Sequence, residues 1–426
     1  MTTCGENSLS ETLSKYPTPL HIYYEERLLE DADTLAKGLK SQLPGAELFY
    51  STKTNSMLPL LQTLLRQGWK LEAVCGADIK SALLAGAKGS DIQLAGAAWT
   101  NQLLETALYE NGITHFTLDS LPMAELLGTL LKKRPVQVDI ALRLHDGDSH
   151  FGMQADKNLL QAALNAIPSE CLHTFGLHLH KNPHGSAREI KDIATDFAER
   201  TQKLISAALF FSKNKPSFFN LGGGIDSPWN FRLRAEDIGK YHNPESCQKL
   251  RSSVDFPRFS LNEAAEKISA AIAKELKESE QKNIKIYFEP GRAVCSRALS
   301  TVIEVKSVKK NFYPEGDVVL SDGNTALLGP LHRAIHPITY LGEKSGEEKN
   351  IFLYGNLPHS GDWLFQNISL PPLKRGDRLL IDYTGAYFLP LEANFGLPRP
   401  GIYDAKSGAL LRAPENELDP GLRDIF

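Results

Sequence analysis

Glu47-Leu-Phe-Tyr-Ser-Thr-Lys53, followed at once by Thr54, Asn55 and a helical pattern, is the stretch whose reading decides the fold. Its apolar, β-prone run closes on a lysine where strand gives way to helix, and the carboxyl end of a strand is where α/β barrels carry their chemistry. A solitary lysine there is weak evidence, because lysine is mostly a solvated surface charge. Its meaning depends on what the other strand ends supply. From Glu47 to Glu289 short apolar runs alternate with longer helical patterns. The expected strands are 47–53, 70–74, 91–95, 114–118, 136–143, 173–180, 217–221 and 284–289. Helices are expected at 56–67, 77–86, 100–111, 120–133, 155–166, 186–211 and 262–280, from their apolar periodicity. About eight βα units close a (β/α)8 barrel, so an α/β chain with a TIM-type barrel is expected.

After Arg292 the pattern changes. Segments 298–310, 317–321, 336–341, 350–354, 378–383 and 400–404 run apolar or alternate between Gly, Pro, Asn and Asp, which suits a mostly antiparallel C-terminal β domain. Leu20-His-Ile-Tyr-Tyr24 reads as a further strand. The expected division is an N-terminal segment 1–30 joining the β domain, a barrel over 31–292 and the β domain over 293–426. Residues 226–262 fit neither pattern and form a long insertion, the kind of connection that serves as a lid or binding loop or is simply solvated.

Composition narrows the function. With 426 residues and a formal net charge of −4 the chain has core enough for such a fold but no basic field for nucleic acid. Cys4, Cys75, Cys171, Cys247 and Cys295 are odd in number and without C-x-x-C spacing, so neither a disulfide framework nor a metal site is expected. The polar, acidic amino terminus and the lack of a long apolar run point to a cytoplasmic protein.

The residues that end the strands are concentrated in type: Lys53, Arg143, His178 with His180, Gly222-Gly223-Gly224, and Glu289-Pro-Gly291-Arg292. In Gly176-Leu-His178-Leu-His180 the period of two sends both histidines toward the barrel axis. Three consecutive glycines let the backbone approach an anion and turn N–H groups toward it, and Arg292 would add a bidentate guanidinium. Glu289, if buried, needs a cation, and a protonated heterocyclic nitrogen would serve. An imine-forming lysine, a carboxylate facing a ring nitrogen, an imidazole for stacking and a phosphate cradle together describe a pyridoxal 5'-phosphate site. Lys53 is useful there if desolvation or cationic neighbours lower its pKa.

At these residues the chain resembles the fold-type III pyridoxal phosphate decarboxylases, the group of diaminopimelate, ornithine and arginine decarboxylases. Tyr50-Ser-Thr-Lys53-Thr-Asn55 is similar to the Schiff-base lysine motif, and Gly176–His180 to the strand whose second histidine stacks on the cofactor. Gly222–Gly224 is similar to the phosphate loop, and Glu289–Arg292 to the motif that meets the pyridine nitrogen and the phosphate. Gly376-Asp377, Gly385-Ala-Tyr387 and Asn394-Phe395 resemble the late segments, in which the tyrosine reaches the phosphate. The resemblance implies a homodimer with active sites at the subunit interface, an amino-acid substrate and a carboxy-lyase reaction.

Departures from the family's pattern bear on substrate. Where the family carries a Cys and an acidic residue, donated by the partner subunit as an acid and a substrate ligand, this chain reads Gly355-Asn-Leu-Pro358-His359-Ser360-Gly361-Asp362. Proline cannot donate a proton, whereas His359 can. Gly329-Pro330 stands in place of an Arg-Pro pair that grips a distal carboxylate, with Arg333 three residues on, so Arg333, His359 and Asp362 are the expected substrate contacts. Asn182-Pro183, then His184-Gly185-Ser186, replace the Gly-Ser that follows the stacking histidine and supplies a phosphate donor in the family. Glu72, Cys75 and Asp78 stand for the usual Asp, Ser and Glu. The expected activity is decarboxylation of an amino acid or amino-acid-derived intermediate other than standard diaminopimelate or ornithine, within a specialised pathway such as siderophore or other secondary metabolism. A racemase, or an oxidative or transaminating outcome, is the alternative, and a non-catalytic antizyme-inhibitor-like binder is a third reading.

Overall fold

The computed structural model describes residues 13–414 apart from 14, 182–184, 187–188, 344, 394 and 396–398. Strand β1 (Leu20–Tyr23) precedes the barrel, whose wall begins with β2 (Glu47–Ser51), β3 (Lys70–Ala73), β4 (Ile92–Leu94) and β5 (His115–Leu118). It continues through β6 (Val138–Arg143), β7 (Leu172–His178) and β8 (Phe218–Asn220); a short strand β9 (Phe231–Arg232) follows before β10 (Lys285–Phe288). The wall closes in the order β10-β2-β3-β4-β5-β6-β7-β8 with every pair parallel. This is the (β/α)8 barrel the alternation implied. Parallel strands are covered on both faces, which is why they read as apolar runs.

Two layers fill the barrel. Phe49, Phe218 and Tyr287 pack with Ala141 at the amino-terminal end, where the Phe218 and Tyr287 rings stack 4.6 Å apart. Toward the carboxyl end the interior becomes polar, with Gln93, Thr117, His178, Asn220 and Glu289 all buried. The aromatic layer thus forms a floor beneath a polar chamber, and chemistry is confined to the mouth.

The second domain is a sheet built on β11 (Leu299–Tyr313), β12 (Gly316–Ser321), β15 (Lys349–Tyr354) and β16 (Trp363–Leu370), with β14 (Ile338–Tyr340), β17 (Arg378–Ile381), β18 (Gly401–Asp404) and β19 (Leu410–Arg412). Strand β1 lies inside this sheet, antiparallel to β11 and parallel to β18. Six of its pairings are antiparallel and two, β1 with β18 and β12 with β15, are parallel.

The insertion is folded. It carries helices Ala235–Tyr241 and Pro244–Arg251, each opening with acidic residues in the first turn, the second capped by Asn243. Their apolar faces, Tyr241 and Cys247, pack with Ile335 and Trp363 of the β domain. Strand β9 pairs antiparallel with β13 (Ala334–Ile335), which fastens the insertion to that domain.

Candidate active site

Strand β2 stops at Ser51, and a single 3-10 turn, Thr52–Thr54, carries Lys53 just beyond the wall rather than within the strand. The turn is pinned to β3, because the Thr52 hydroxyl donates to the Glu72 carbonyl at 2.8 Å. The Asn55 amide donates to the Gly385 carbonyl at 2.9 Å, tying the lysine turn to the β domain. Lys53 is walled by protein but its side chain remains 48% accessible from the open mouth, and its Nζ lies 3.6 Å from Glu72 Oε1. Ser51 donates its hydroxyl to the other Glu72 oxygen. Glu72 raises the Lys53 pKa more than burial lowers it, with Glu289 adding to the rise. The depressed lysine pKa expected from the sequence is therefore not found: a buried carboxylate opposite the amine favours the charged form.

Glu289 directly follows β10 and occupies the centre of the polar chamber. Its Oε1 accepts from Gln93 Nε2 at 2.5 Å and Asn220 Nδ2 at 2.7 Å, and its Oε2 lies 3.3 Å from His178 Nε2. Burial pushes this carboxyl up, but His178, then His180 and Lys53, outweigh it and hold the group well below the usual carboxylate range. An ionised carboxylate held by neutral amides has an acceptor left for a protonated ring nitrogen. Gln93 and Asn220 were missed in the sequence; the signal was a single amide in each of two otherwise apolar runs, Ile92-Gln-Leu94 and Phe218-Phe-Asn220.

Beyond the end of β7, His180 is partly buried at the cleft wall, and its Nδ1 accepts the Gly223 N–H at 2.9 Å. Burial, then Arg200 and Lys53, push its pKa well below the ordinary value, so the ring is neutral. The glycine loop needs its composition. Gly222 has φ +65°, and a Cβ there would lie 2.7 Å from His180; a Cβ on Gly223 would lie 2.4 Å from the Glu289 carbonyl. Arg200, fully buried on helix Ile190–Ala208, donates to the Leu221 and Gly223 carbonyls at 2.8 and 2.7 Å and so fixes the path of the loop, while the Gly222 N–H donates to Asn220 Oδ1 at 2.9 Å. Nothing in the sequence distinguished it from other helical arginines.

Gly291 approaches the lysine turn closely, since a Cβ there would sit 2.1 Å from Thr54 Oγ1, itself buried without a partner. Arg292 then enters the cleft with its guanidinium 4.7 Å from the centre of the Tyr387 ring. Tyr387 has φ +72°, held by its N–H on the Thr54 carbonyl at 2.8 Å. Burial and the neighbouring Arg232 lower the Arg292 pKa to about 10. Arg232, from the insertion, was not singled out by sequence.

Lys53, His180, Gly223, Gly224, Glu289, Gly291, Arg292 and Tyr387 line one cleft together with Glu72 and Arg232. Other expected residues lie apart from it. Arg143 ends β6 with Nη1 3.4 Å from Asp119 and its guanidinium 4.5 Å from the Phe151 ring centre, off the cleft lining. Arg333 and His359 are exposed on the β domain. Asp362 is buried and accepts from the Thr325 N–H and hydroxyl at 2.7 and 2.8 Å and from the Leu357 N–H at 2.8 Å. Asn182, Pro183, His184 and Asn394 fall outside the described residues. A larger cavity of about 640 Å³, between helix Pro244–Arg251 and strands β15 and β16, includes none of the cleft residues. Among the described residues no cluster could hold a metal ion and no helix is long and apolar enough to cross a membrane.

The cleft fits pyridoxal 5'-phosphate: an amine at one wall, an ionised carboxylate at the chamber's centre, and a cradle of glycines and cations opposite, where even a Cβ would intrude. The solved diaminopimelate decarboxylase of Helicobacter pylori, in complex with L-lysine, superposes with a TM-score of 0.79 at 20% identity over 97% of this chain and 98% of that one. Lysine decarboxylase from Selenomonas ruminantium does so with a TM-score of 0.71 at 18% identity over 92% of this chain and 93% of that one. In sequence the chain is 26% identical to the diaminopimelate decarboxylase of Bacillus subtilis, over 92% of this chain and 88% of the relative. It is likewise 26% identical to that of Campylobacter jejuni, over 89% of each. Residues 30–296 match the pyridoxal binding domain of the pyridoxal-dependent decarboxylases and residues 292–385 their C-terminal sheet domain. With both domains matched in order, the chain belongs to the pyridoxal-dependent decarboxylase family, and it is a pyridoxal phosphate-dependent amino acid carboxy-lyase.

Proposed function

We propose that this carboxy-lyase acts on an amino acid, or amino-acid-derived intermediate, other than meso-diaminopimelate or ornithine, whose far end is acyl, amide or anionic. The observation that carries the reading is the loop 355–362. Its one carboxylate, Asp362, is 1% exposed and engaged by Thr325 and Leu357, while the residues it turns outward are Asn356, Pro358, His359 and Ser360. A distal ammonium would find an imidazole there in place of a carboxylate, whereas a carbonyl or anion would find a donor.

When bound, the cofactor supplies a ring that accepts the electron pair left as the Cα–carboxylate bond breaks. Lys53 would anchor it, and Glu289 would favour the protonated form of its ring nitrogen. His180 would pack beside the ring. Gly222, Gly223, Gly224, Gly291, Arg292 and Tyr387 would hold the phosphate, and Arg143 would add positive charge near the mouth. The proton that completes Cα comes from His359 or from the Lys53 ammonium, which Glu72 keeps charged. Because Arg333 and His359 project from the exposed β domain, they serve a neighbouring subunit's cleft, and the working unit is a homodimer.

The test is CO2 release by the cofactor-loaded enzyme from a panel of L- and D-amino acids with ammonium, amide, acyl and carboxylate tails, with optical activity followed in parallel. Preference for an acyl, amide or anionic tail is expected. Highest kcat/KM on meso-diaminopimelate or ornithine would overturn the substrate reading, and loss of optical activity without CO2 would make the enzyme a racemase.

A further inference from the structure

The family's phosphate sites place a hydroxyl donor after the stacking histidine, and here the nearest described hydroxyl, Ser186, is spent elsewhere. Its Oγ lies 3.2 Å from Asp226 Oδ1 as donor and accepts the Arg232 N–H at 2.9 Å, while the Ser186 N–H donates to the Arg232 carbonyl at 3.0 Å. Those bonds hold β9 against segment 185–186 and set Arg232 in place. Arg232 is held from three directions. Its Nη2 donates to the Gly185 carbonyl at 3.1 Å, its Cα pairs with Ala334 across β9 and β13, and the next residue's N–H donates to the Arg333 carbonyl at 2.9 Å. At the root of the insertion Arg258 donates to the Asn230 and Ser227 carbonyls, each at 2.9 Å, and pairs with Asp226 at 2.5 Å. The chain has therefore built a rigid mount whose product is a second arginine on the wall that also carries Gly223, Gly224, Arg292 and Tyr387.

We propose that Arg232, delivered by the insertion, is a phosphate anchor of the cofactor and takes the place of the hydroxyl donor that Ser186 no longer provides. Two guanidinium groups in one cleft repel each other, and burial, with that repulsion second, depresses the Arg292 pKa. A phosphate, nearly dianionic at neutral pH, relieves it and accepts bidentate bonds from a guanidinium. The folded insertion thus has a role at the site without acting as a lid. This rests on the pyridoxal reading of the cleft but not on the identity of the amino acid.

Cofactor binding tests it directly. Apo-enzyme made from wild type, Arg232→Met and Arg232→Lys is titrated with pyridoxal 5'-phosphate and, separately, with pyridoxal, following the bound chromophore; inorganic phosphate is the competitor. Loss of a charge-assisted bond predicts pyridoxal phosphate affinity roughly ten- to a hundredfold weaker in Arg232→Met. Pyridoxal affinity should stay within about twofold, and Arg232→Lys, which keeps the charge without the fork, should fall between. Weaker competition by inorganic phosphate in Arg232→Met is the matching signature. Equal weakening of both cofactor forms means Arg232 only supports the fold and overturns the proposal. Unchanged cofactor affinity with a raised KM for the amino acid also overturns it, since Arg232 would then read the substrate. Should Arg232→Met not fold, Arg232→Lys decides: selective loss for the phosphorylated form supports the anchor, and no selective loss overturns it. Failure of wild type to bind pyridoxal phosphate would instead strike the cofactor reading.

Discussion

At Glu289 and Lys53 the charge states in the cleft follow from a few close neighbours. Glu289 stays ionised because His178, His180 and Lys53 outweigh its burial, and Lys53 stays charged because Glu72 faces it at 3.6 Å. A buried histidine of the β domain, outside the cleft, is governed by its burial instead. His336 is 1% exposed, its ring packs edge-on against Phe388 at 5.2 Å, and its Nδ1 donates to the Asp382 carbonyl at 3.0 Å. Burial, with Arg292 and Arg251 nearby, lowers its pKa to about 4. The unfolded chain takes up that proton near pH 6.5 and the native state does so only near pH 4, so between these values the unfolded state binds more protons. Stability from this group is complete above about pH 6.5 and is lost as pH falls toward 4, a swing of about 3 kcal/mol. Urea midpoints of wild type and His336→Gln over pH 4 to 7 check this. The variant should show a shallower loss on acidification, and an unchanged slope would mean that His336 does not titrate as its burial implies.

Among the elements, the barrel strands were legible because parallel strands, buried on both faces, leave continuous apolar runs such as Phe218-Phe219 and Ile286-Tyr-Phe288. Their ends were less so: the run to Lys53 gives way to a 3-10 turn at Thr52, and the run to His180 leaves the strand at His178. Strand β16, Trp363–Leu370, was not anticipated, since Gln366 and Asn367, the latter at φ +53°, interrupt its apolar sequence. The insertion could not be resolved from composition, because its apolar residues gain a core only against Ile335 and Trp363, about a hundred residues away in sequence. For the site, residues at strand ends and in glycine runs announced themselves. Gln93, Asn220, Arg200 and Arg232 did not, because each acts by reaching a group far along the chain.

At the level of the whole molecule, the barrel supplies the cofactor chamber, and the β domain closes it by one short segment, Asn55 to Gly385 and Thr54 to Tyr387. The loop 355–362 of that domain presents Asn356, Pro358, His359 and Ser360 to solvent. If it completes a neighbouring subunit's cleft, as proposed, Lys53→Ala and His359→Ala subunits are each deficient, and mixing them after gentle dissociation should restore CO2 release. Mixtures no more active than their components, or a monomer of full activity, would contradict the shared site. The most direct measurement of the central claim is mass spectrometry of the cofactor-loaded protein after borohydride reduction and proteolysis, alongside steady-state CO2 release by Lys53→Ala. The pyridoxyl group is expected on the peptide containing Lys53, with turnover in the variant reduced by more than roughly a thousandfold. A pyridoxyl group on another lysine, or near-normal decarboxylation by Lys53→Ala, would contradict it.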